Sequence, residues 1–332
     1  MNTQARQRHN LRVLQRLSAE RSRLKRAVES IEIIRRLPPP SLTQLICVMV
    51  VFNESLRLPD SLRHYRSLGI ERFAIMDNSS TDSTRDYLLQ QPDVDLYSVP
   101  LDYKTSVGGC GWVSALIHIH YGAHRWVVWS DADEQLVFDG SEQHDLHALT
   151  DHMKAMGNAS LPCVMVDMYS HGDLSSVILH ADQTLLECCP YFDGNGYQRQ
   201  EIEPDGLVPR VVWSGGASER VFGNQRGWMA KIPLIYWRPE TWYWNPHVAY
   251  PFELNFNQPS GALLHFKYMA DFAATVDREV SRNQHASNAE KYRVFQNHLR
   301  NSDTTSLHYG ESARYENSTS LLERKLITAI HW

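Results

Sequence analysis

The sequence predicts an α/β protein built on a mostly parallel central sheet with helices on both faces. Three observations carry that expectation. Five apolar runs of strand length recur: "LICVMVVF" at 45–52, "RFAIMD" at 72–77, "VDLYSV" at 94–99, "RWVVWSD" at 125–131 and "PCVMVDMYS" at 162–170. Amphipathic, helix-like stretches lie between them, clearest at 57–68, 81–91, 112–122 and 143–157. Strands that alternate with helices and are apolar on both sides suit a sheet covered on both faces. Finally, four of the runs end in carboxylates, and ligands of such sheets gather beyond the carboxyl ends of the strands.

Ahead of the first strand, residues 3–36 read as a helix. Leu14, Leu17, Leu24, Val28 and Ile31 recur at three- and four-residue steps once Arg21 fills one slot. Three prolines at 38–40 stop it. A helix packed on its own domain or paired in a dimer fits that pattern. A membrane-surface helix fits less well, because the apolar face is narrow and lacks Trp or Phe.

The bulk numbers exclude several classes. The 332 residues are 42% hydrophobic and 21% charged, an ordinary globular composition. No run of about 18 apolar residues predicts a spanning helix. No apolar core with a small-residue cleavage site marks a secretory signal, so the expected location is cytoplasmic. Five cysteines without CxxC spacing indicate reduced thiols, neither zinc site nor disulfide framework. The net charge of −5 divides into +7 over residues 1–36 and −12 over the rest. An acidic body argues against a nucleic-acid enzyme, and the basic leader suits anionic lipid at the inner face of a membrane or a second chain.

The strand ends carry the chemistry. The first ends in Asn53-Glu54, the second in Asp77, the fourth in Asp131, Asp133 and Glu134, and the fifth at Asp167. One such acid is unremarkable, since Asp or Ser often caps a helix, as Asp82 or Ser80 would here. Several at one rim suggest a polar ligand with a hard cation.

"VFNESLRLPDSLRHYRSLGIERFAIMDNSSTDST" resembles the opening of family 2 glycosyltransferases with the GT-A fold, and "SDADE" resembles their DxD motif. "GGASERVFG" (215–223), "KIPLIYW" (231–237) and "GALLHFKY" (261–268) resemble a bacterial branch that builds polysaccharide. The likeness covers roughly residues 45–300. It implies a GT-A, Rossmann-like domain at 41–270, which a helical extension, 271–332, follows; the basic helical leader, 1–40, lies outside the resemblance. The implied reaction moves a sugar from a nucleotide-sugar, a UDP-sugar first, to a glycan or lipid-linked acceptor hydroxyl with Mn²⁺ or Mg²⁺. A cation bridging the donor diphosphate neutralises the charge gained by the leaving group, worth several kcal/mol. In a tight turn, residues i and i+2 point to one side, so Asp131 meets the ribose or a metal-bound water while Asp133 ligates directly. The resemblance adds His265 as a further metal ligand, Lys267 as a phosphate neighbour, and Asp77 at the uracil or ribose, with Glu54 and Asn53 on the donor side.

Each reading has a plainer rival. Asp131 and Asp133 are set against capping of the helix near 141–157, a task that Asp139 and Ser141 are better placed to do. Asp77 is set against an Asx-turn, His265 against a satisfied core histidine, and Asn53 against a turn-shaping role. "SVGGCGW" (106–112) reads as a tight turn rather than a phosphate loop, and the aromatics of 236–250 mainly as core. An inverting enzyme needs a carboxylate to deprotonate the acceptor, and Glu219 is the first candidate, Asp167 the second. A sugar nucleotidyltransferase and a non-catalytic carbohydrate-binding protein are the rival functions; the first lacks its Gly-rich opening loop here, the second needs no metal pair.

Overall fold

The computed structural model describes residues 19, 22, 25–202, 210–223, 228–283, 286–302 and 304–332, with backbone alone at 286–288. Most of the expected leader helix lies outside these residues. Nine strands form the central sheet: β1 (Glu32–Arg35), β2 (Ile46–Val51), β3 (Arg72–Asp77), β4 (Val94–Ser98), β5 (Arg125–Trp129), β6 (Glu134–Val137), β7 (Ser160–Asp167), β8 (Ala230–Trp237) and β9 (Gly261–His265). Their order is β1-β4-β3-β2-β5-β8-β7-β9-β6. β2, β3, β4, β5, β7 and β9 point the same way, while β1, β8 and β6 run against them. The expected α/β architecture with a mostly parallel sheet is therefore the one observed.

Alternate residues of a strand face opposite sides, and β2 shows what that builds. Cys47, Met49 and Val51 face one layer with Leu58, Leu62 and Tyr65 of α1 (Leu58–Ser67). Leu146, Leu149 and Met153 of α4 (Leu146–Ala155) join that layer. Ile46 and Val48 face the other layer, with Trp112, Val113 and Leu116 of α3 (Cys110–Leu116). Each fully buried Leu or Val contributes roughly 1.5–3 kcal/mol, so both helical layers are held by the same strands. α2 (Thr84–Leu89) follows β3, and α5 (Gly216–Phe222) lies before β8. α6 (Phe272–Arg282) and α7 (Ala286–Arg300) follow β9.

Two expectations are corrected. The leader does not stay helical to residue 36: the helix ends at Ser30, and Glu32–Arg35 is the edge strand β1. β-branched Ile33 and Ile34 fit the pleat, and Arg35 pins the strand by donating to the carbonyls of Leu88, Leu89, Gln91 and Val94. After Arg300 the described chain is mostly irregular, with one short strand, Ser312–Arg314, and a four-residue helix, Thr319–Leu322. All five cysteines are buried free thiols. No described helix is long and apolar enough to cross a membrane.

Candidate active site

The turn after β5 is the starting point. The Glu134 N–H donates to the Asp131 carbonyl at 3.1 Å, closing a four-residue turn. Ala132 is buried beneath it, only 2% exposed. Asp131 and Asp133 flank Ala132 with their carboxylates partly exposed, the first paired with Lys231 and the second with His265. The turn is anchored from two sides. The Tyr65 hydroxyl of α1 donates to Ser130 Oγ at 2.6 Å and to the Glu134 carbonyl at 3.2 Å. The Phe266 N–H, just past β9, donates to the Asp133 carbonyl at 2.7 Å.

β9 delivers His265 to the same place. Its Nε2 lies 3.1 Å from Asp133 Oδ2 and its Nδ1 lies 2.9 Å from Asp167 Oδ1. Burial, the largest influence, lowers the imidazole, but Asp133 and Asp167 together hold the group above its ordinary value. Burial would likewise raise Asp133, yet His265, Arg57 and Lys231 hold that carboxyl well below the usual range. One turn further, Lys267 Nζ lies 3.5 Å from Asp167 Oδ1 and 5.4 Å from the Phe295 ring centroid of α7. Lys291 Nζ, also on α7, is 5.7 Å from the same ring. The Lys267 charge and then burial pull the Lys291 ammonium down to about 7.

Three further groups escaped the sequence reading. Lys231, near the start of β8, donates to Asp131 Oδ2 at 2.7 Å and pairs with Glu134. A lysine opening an apolar strand was the available signal, since a charge there must be paired. Arg57 donates through Nε to the Phe266 carbonyl at 3.0 Å and grips both oxygens of Asp271 at 2.8 and 2.9 Å. Nothing in its local sequence marks Arg57 as buried. Lys291 likewise has no local signal, because only the return of α7 over the rim brings it near.

Glu54 faces this cluster. Its Oε2 is buried without a hydrogen-bond partner, 3.8 Å from Arg57 Nη1. Burial first, and then Asp133, Asp271 and Asp131 against the opposing Arg57, push its carboxyl up to about 8. Asp133, Glu134 and His265 offer ligand atoms that all lie within 4.8 Å of one another. Carboxylate oxygens and an imidazole fit a hard divalent cation.

Other expected site residues do different work. Asp77 is fully buried, with Oδ1 accepting the Ser80 N–H at 2.9 Å and Oδ2 accepting from Arg85 Nε at 2.9 Å. It is a local turn contact, reaching three residues on rather than the two of the Asx-turn in the plainer reading, and no oxygen is left facing solvent for a nucleoside. Asn53, at φ 56°, accepts the Thr81 N–H at 2.7 Å and so ties the first two rim loops together. Asp167 spends Oδ1 on His265 and Lys267 and Oδ2 on the Ser218 N–H at 3.1 Å and the Tyr268 hydroxyl at 3.4 Å. Its geometry is that of an orienting carboxylate behind His265 rather than a proton acceptor. Glu219 Oε2 accepts the Gly215 N–H at 2.8 Å, a local cap at the start of α5. The cap of α4 is Asp145, accepting the Ala148 N–H at 2.9 Å, rather than Asp139 or Ser141. Gly109 and Ser106 close the tight turn before α3, and Lys104 donates to the Asn283 carbonyl at 2.8 Å. Trp237, Trp242 and Tyr243 are core.

No family model and no curated protein matches the chain. Among solved structures, it is similar to S. aureus TarS 1–349, with 11% identity over 77% of this chain and 71% of that one, at a TM-score of 0.32. It is also similar to the mannosyltransferase PcManGT from Pyrobaculum calidifontis in complex with GDP-Man and Mn²⁺, with 15% identity over 48% of this chain and 47% of that one, at 0.29. A third similarity is to a 4-diphosphocytidyl-2C-methyl-D-erythritol synthase, with 13% identity over 59% of this chain and 75% of that one, at 0.28. At such TM-scores these likenesses carry no argument about this chain, whose chemistry rests on its own residues.

Proposed function

We propose that the chain is a metal-dependent glycosyltransferase that moves a sugar from a nucleotide-sugar, a UDP-sugar first, to a hydroxyl of a glycan or lipid-linked acceptor. The observation that supports this most is the convergence of Asp133, Glu134 and His265 within 4.8 Å at the carboxyl rim of the sheet. Asp133 and His265 of that group would hold Mn²⁺ or Mg²⁺ together with Asp131, which is not part of the group and is paired with Lys231, and Asp167 orients His265. The cation would supply charge neutralisation to the departing diphosphate. Lys267 and Lys291 hold the phosphates from the other side, and Glu54 lines the donor side of the rim. Residues 3–36 belong to the same proposal as a contact for an anionic membrane surface on the cytoplasmic side or for a second copy.

The test is thermal unfolding with UDP, with and without Mn²⁺, on the natural chain and on Asp133→Ala. At a ligand concentration of roughly 100 times the dissociation constant, binding adds about 2.7 kcal/mol. UDP with Mn²⁺ raises the melting temperature of the natural chain, UDP alone does much less, and Asp133→Ala loses the metal-dependent part. Absence of any nucleotide shift would leave the carbohydrate-binding alternative standing. Release of pyrophosphate from a nucleoside triphosphate and a sugar phosphate would instead favour the nucleotidyltransferase.

A further inference from the structure

We propose that Lys231 is an internal counter-cation that competes with the divalent metal for Asp131 and thereby sets how tightly the site takes metal. This rests on Asp131, Asp133 and His265 being the metal-binding residues. The Lys231 ammonium sits 2.7 Å from Asp131 Oδ2 and is paired to Glu134 as well. The side chain is 11% exposed, against 35% for that of Asp131. Its backbone is fixed in the sheet, as the register partner of Cys163 on β7. The ammonium therefore cannot swing freely into solvent, as a surface lysine would.

Two cations cannot occupy one carboxylate pair at close range without strong repulsion, least of all in a partly desolvated site. Metal entry has to move the ammonium off Asp131. Glu134, whose side chain is 1% exposed, remains to hold it at the rim. The metal-free site is thus internally neutralised: Lys231 closes Asp131 while His265 closes Asp133. The consequence is a metal that binds more weakly than the carboxylates alone would allow.

The experiment measures Mn²⁺ dissociation constants by electron paramagnetic resonance on the full chain without nucleotide. Three proteins are compared: the natural chain, Lys231→Gln and Lys231→Arg. Gln keeps a hydrogen-bond donor and removes the charge; Arg keeps the charge. Removing a unit charge at this range should tighten Mn²⁺ binding by about tenfold or more in Lys231→Gln, whereas Lys231→Arg stays within about twofold. A purely structural role would weaken binding in both. Should Lys231→Gln fail to fold, Lys231→Met, uncharged and close to lysine in length, should show the same tightening. Unchanged or weaker Mn²⁺ binding in a folded uncharged variant, with the natural chain binding metal, overturns the role of Lys231 alone. Absence of Mn²⁺ binding in the natural chain and every variant overturns the metal reading, and this proposal with it.

Discussion

His265 and Asp167 are register partners on adjacent parallel strands, and their side chains meet at 2.9 Å between Nδ1 and Oδ1. The sheet thus holds the imidazole by one nitrogen while the other faces Asp133. A carboxylate behind a ligating histidine fixes its ring and raises its basicity. Orientation, rather than proton abstraction, is the task that this geometry gives Asp167.

Asp167→Asn should therefore lower Mn²⁺ affinity by about 10- to 100-fold. Under saturating metal, turnover should largely recover, because the reacting groups are intact. A loss of turnover that saturating Mn²⁺ cannot repair would return Asp167 to the role of catalytic base. Metal titrations of activity, paired with direct Mn²⁺ binding, separate the two.

Lys267 and Lys291 lie 5.4 and 5.7 Å from the ring centroid of Phe295, on elements far apart in sequence. Two ammonium groups brought together repel unless an anion joins them, and a hydrogen bond to a charged group is worth about 1.5–3 kcal/mol. Lys267→Met and Lys291→Met should each weaken UDP binding in the presence of Mn²⁺ by about tenfold or more. Calorimetry at two salt concentrations checks this, since the natural chain should lose affinity with salt more steeply than either variant. Equal affinities and equal salt slopes would remove both lysines from the donor site.

Asp77 offers the opposite test. Its carboxylate is buried and shared between the Ser80 N–H and Arg85. Asp77→Ala breaks the turn contact and the ion pair with Arg85, whose side chain is 40% exposed and can turn to water, so the cost should be about 1 kcal/mol. Urea unfolding should register that loss, while UDP affinity, measured on the folded fraction, should stay unchanged. A drop in UDP affinity beyond the drop in folded fraction would reinstate the nucleoside contact.

Five of the six parallel strands were legible because each is apolar on both faces and bounded by an amphipathic helix; β9 was not among the five runs. β2, β3 and β5 fall within the runs that mark them, and β7 starts two residues before its run, at Ser160. The turn at Asp131–Glu134 was legible because carboxylates at the end of a greasy run need partners. Strand β1 was not, since Ile31 also fits a helical repeat and only pairing with β4 decides against it. Asp77 and Glu219 show another limit. An acid beyond a strand or ahead of a helix reads the same whether it serves a ligand or a nearby N–H. Arg57, Lys231 and Lys291 enter the site through contacts with residues distant in sequence, and no local pattern records such contacts.

His64 supplies a pH test away from the rim. Its Nε2 lies 3.0 Å from the Leu136 carbonyl, a geometry in which the neutral ring donates. Burial lowers its pKa from 6.5 to about 4, against the weaker pull of that carbonyl and Asp60. In the unfolded chain it titrates near the ordinary value of about 6.5. Between those values the unfolded state binds the extra proton, so stability is retained above about pH 6.5, falls as pH drops, and levels off below about 4. At roughly 1.4 kcal/mol per pH unit, going from pH 7 to 4.5 should cost the natural chain about 2 kcal/mol more than His64→Gln. Urea unfolding of both proteins at the two pH values measures the difference. Parallel losses would mean that His64 takes up its proton in the folded chain as readily as in the unfolded one.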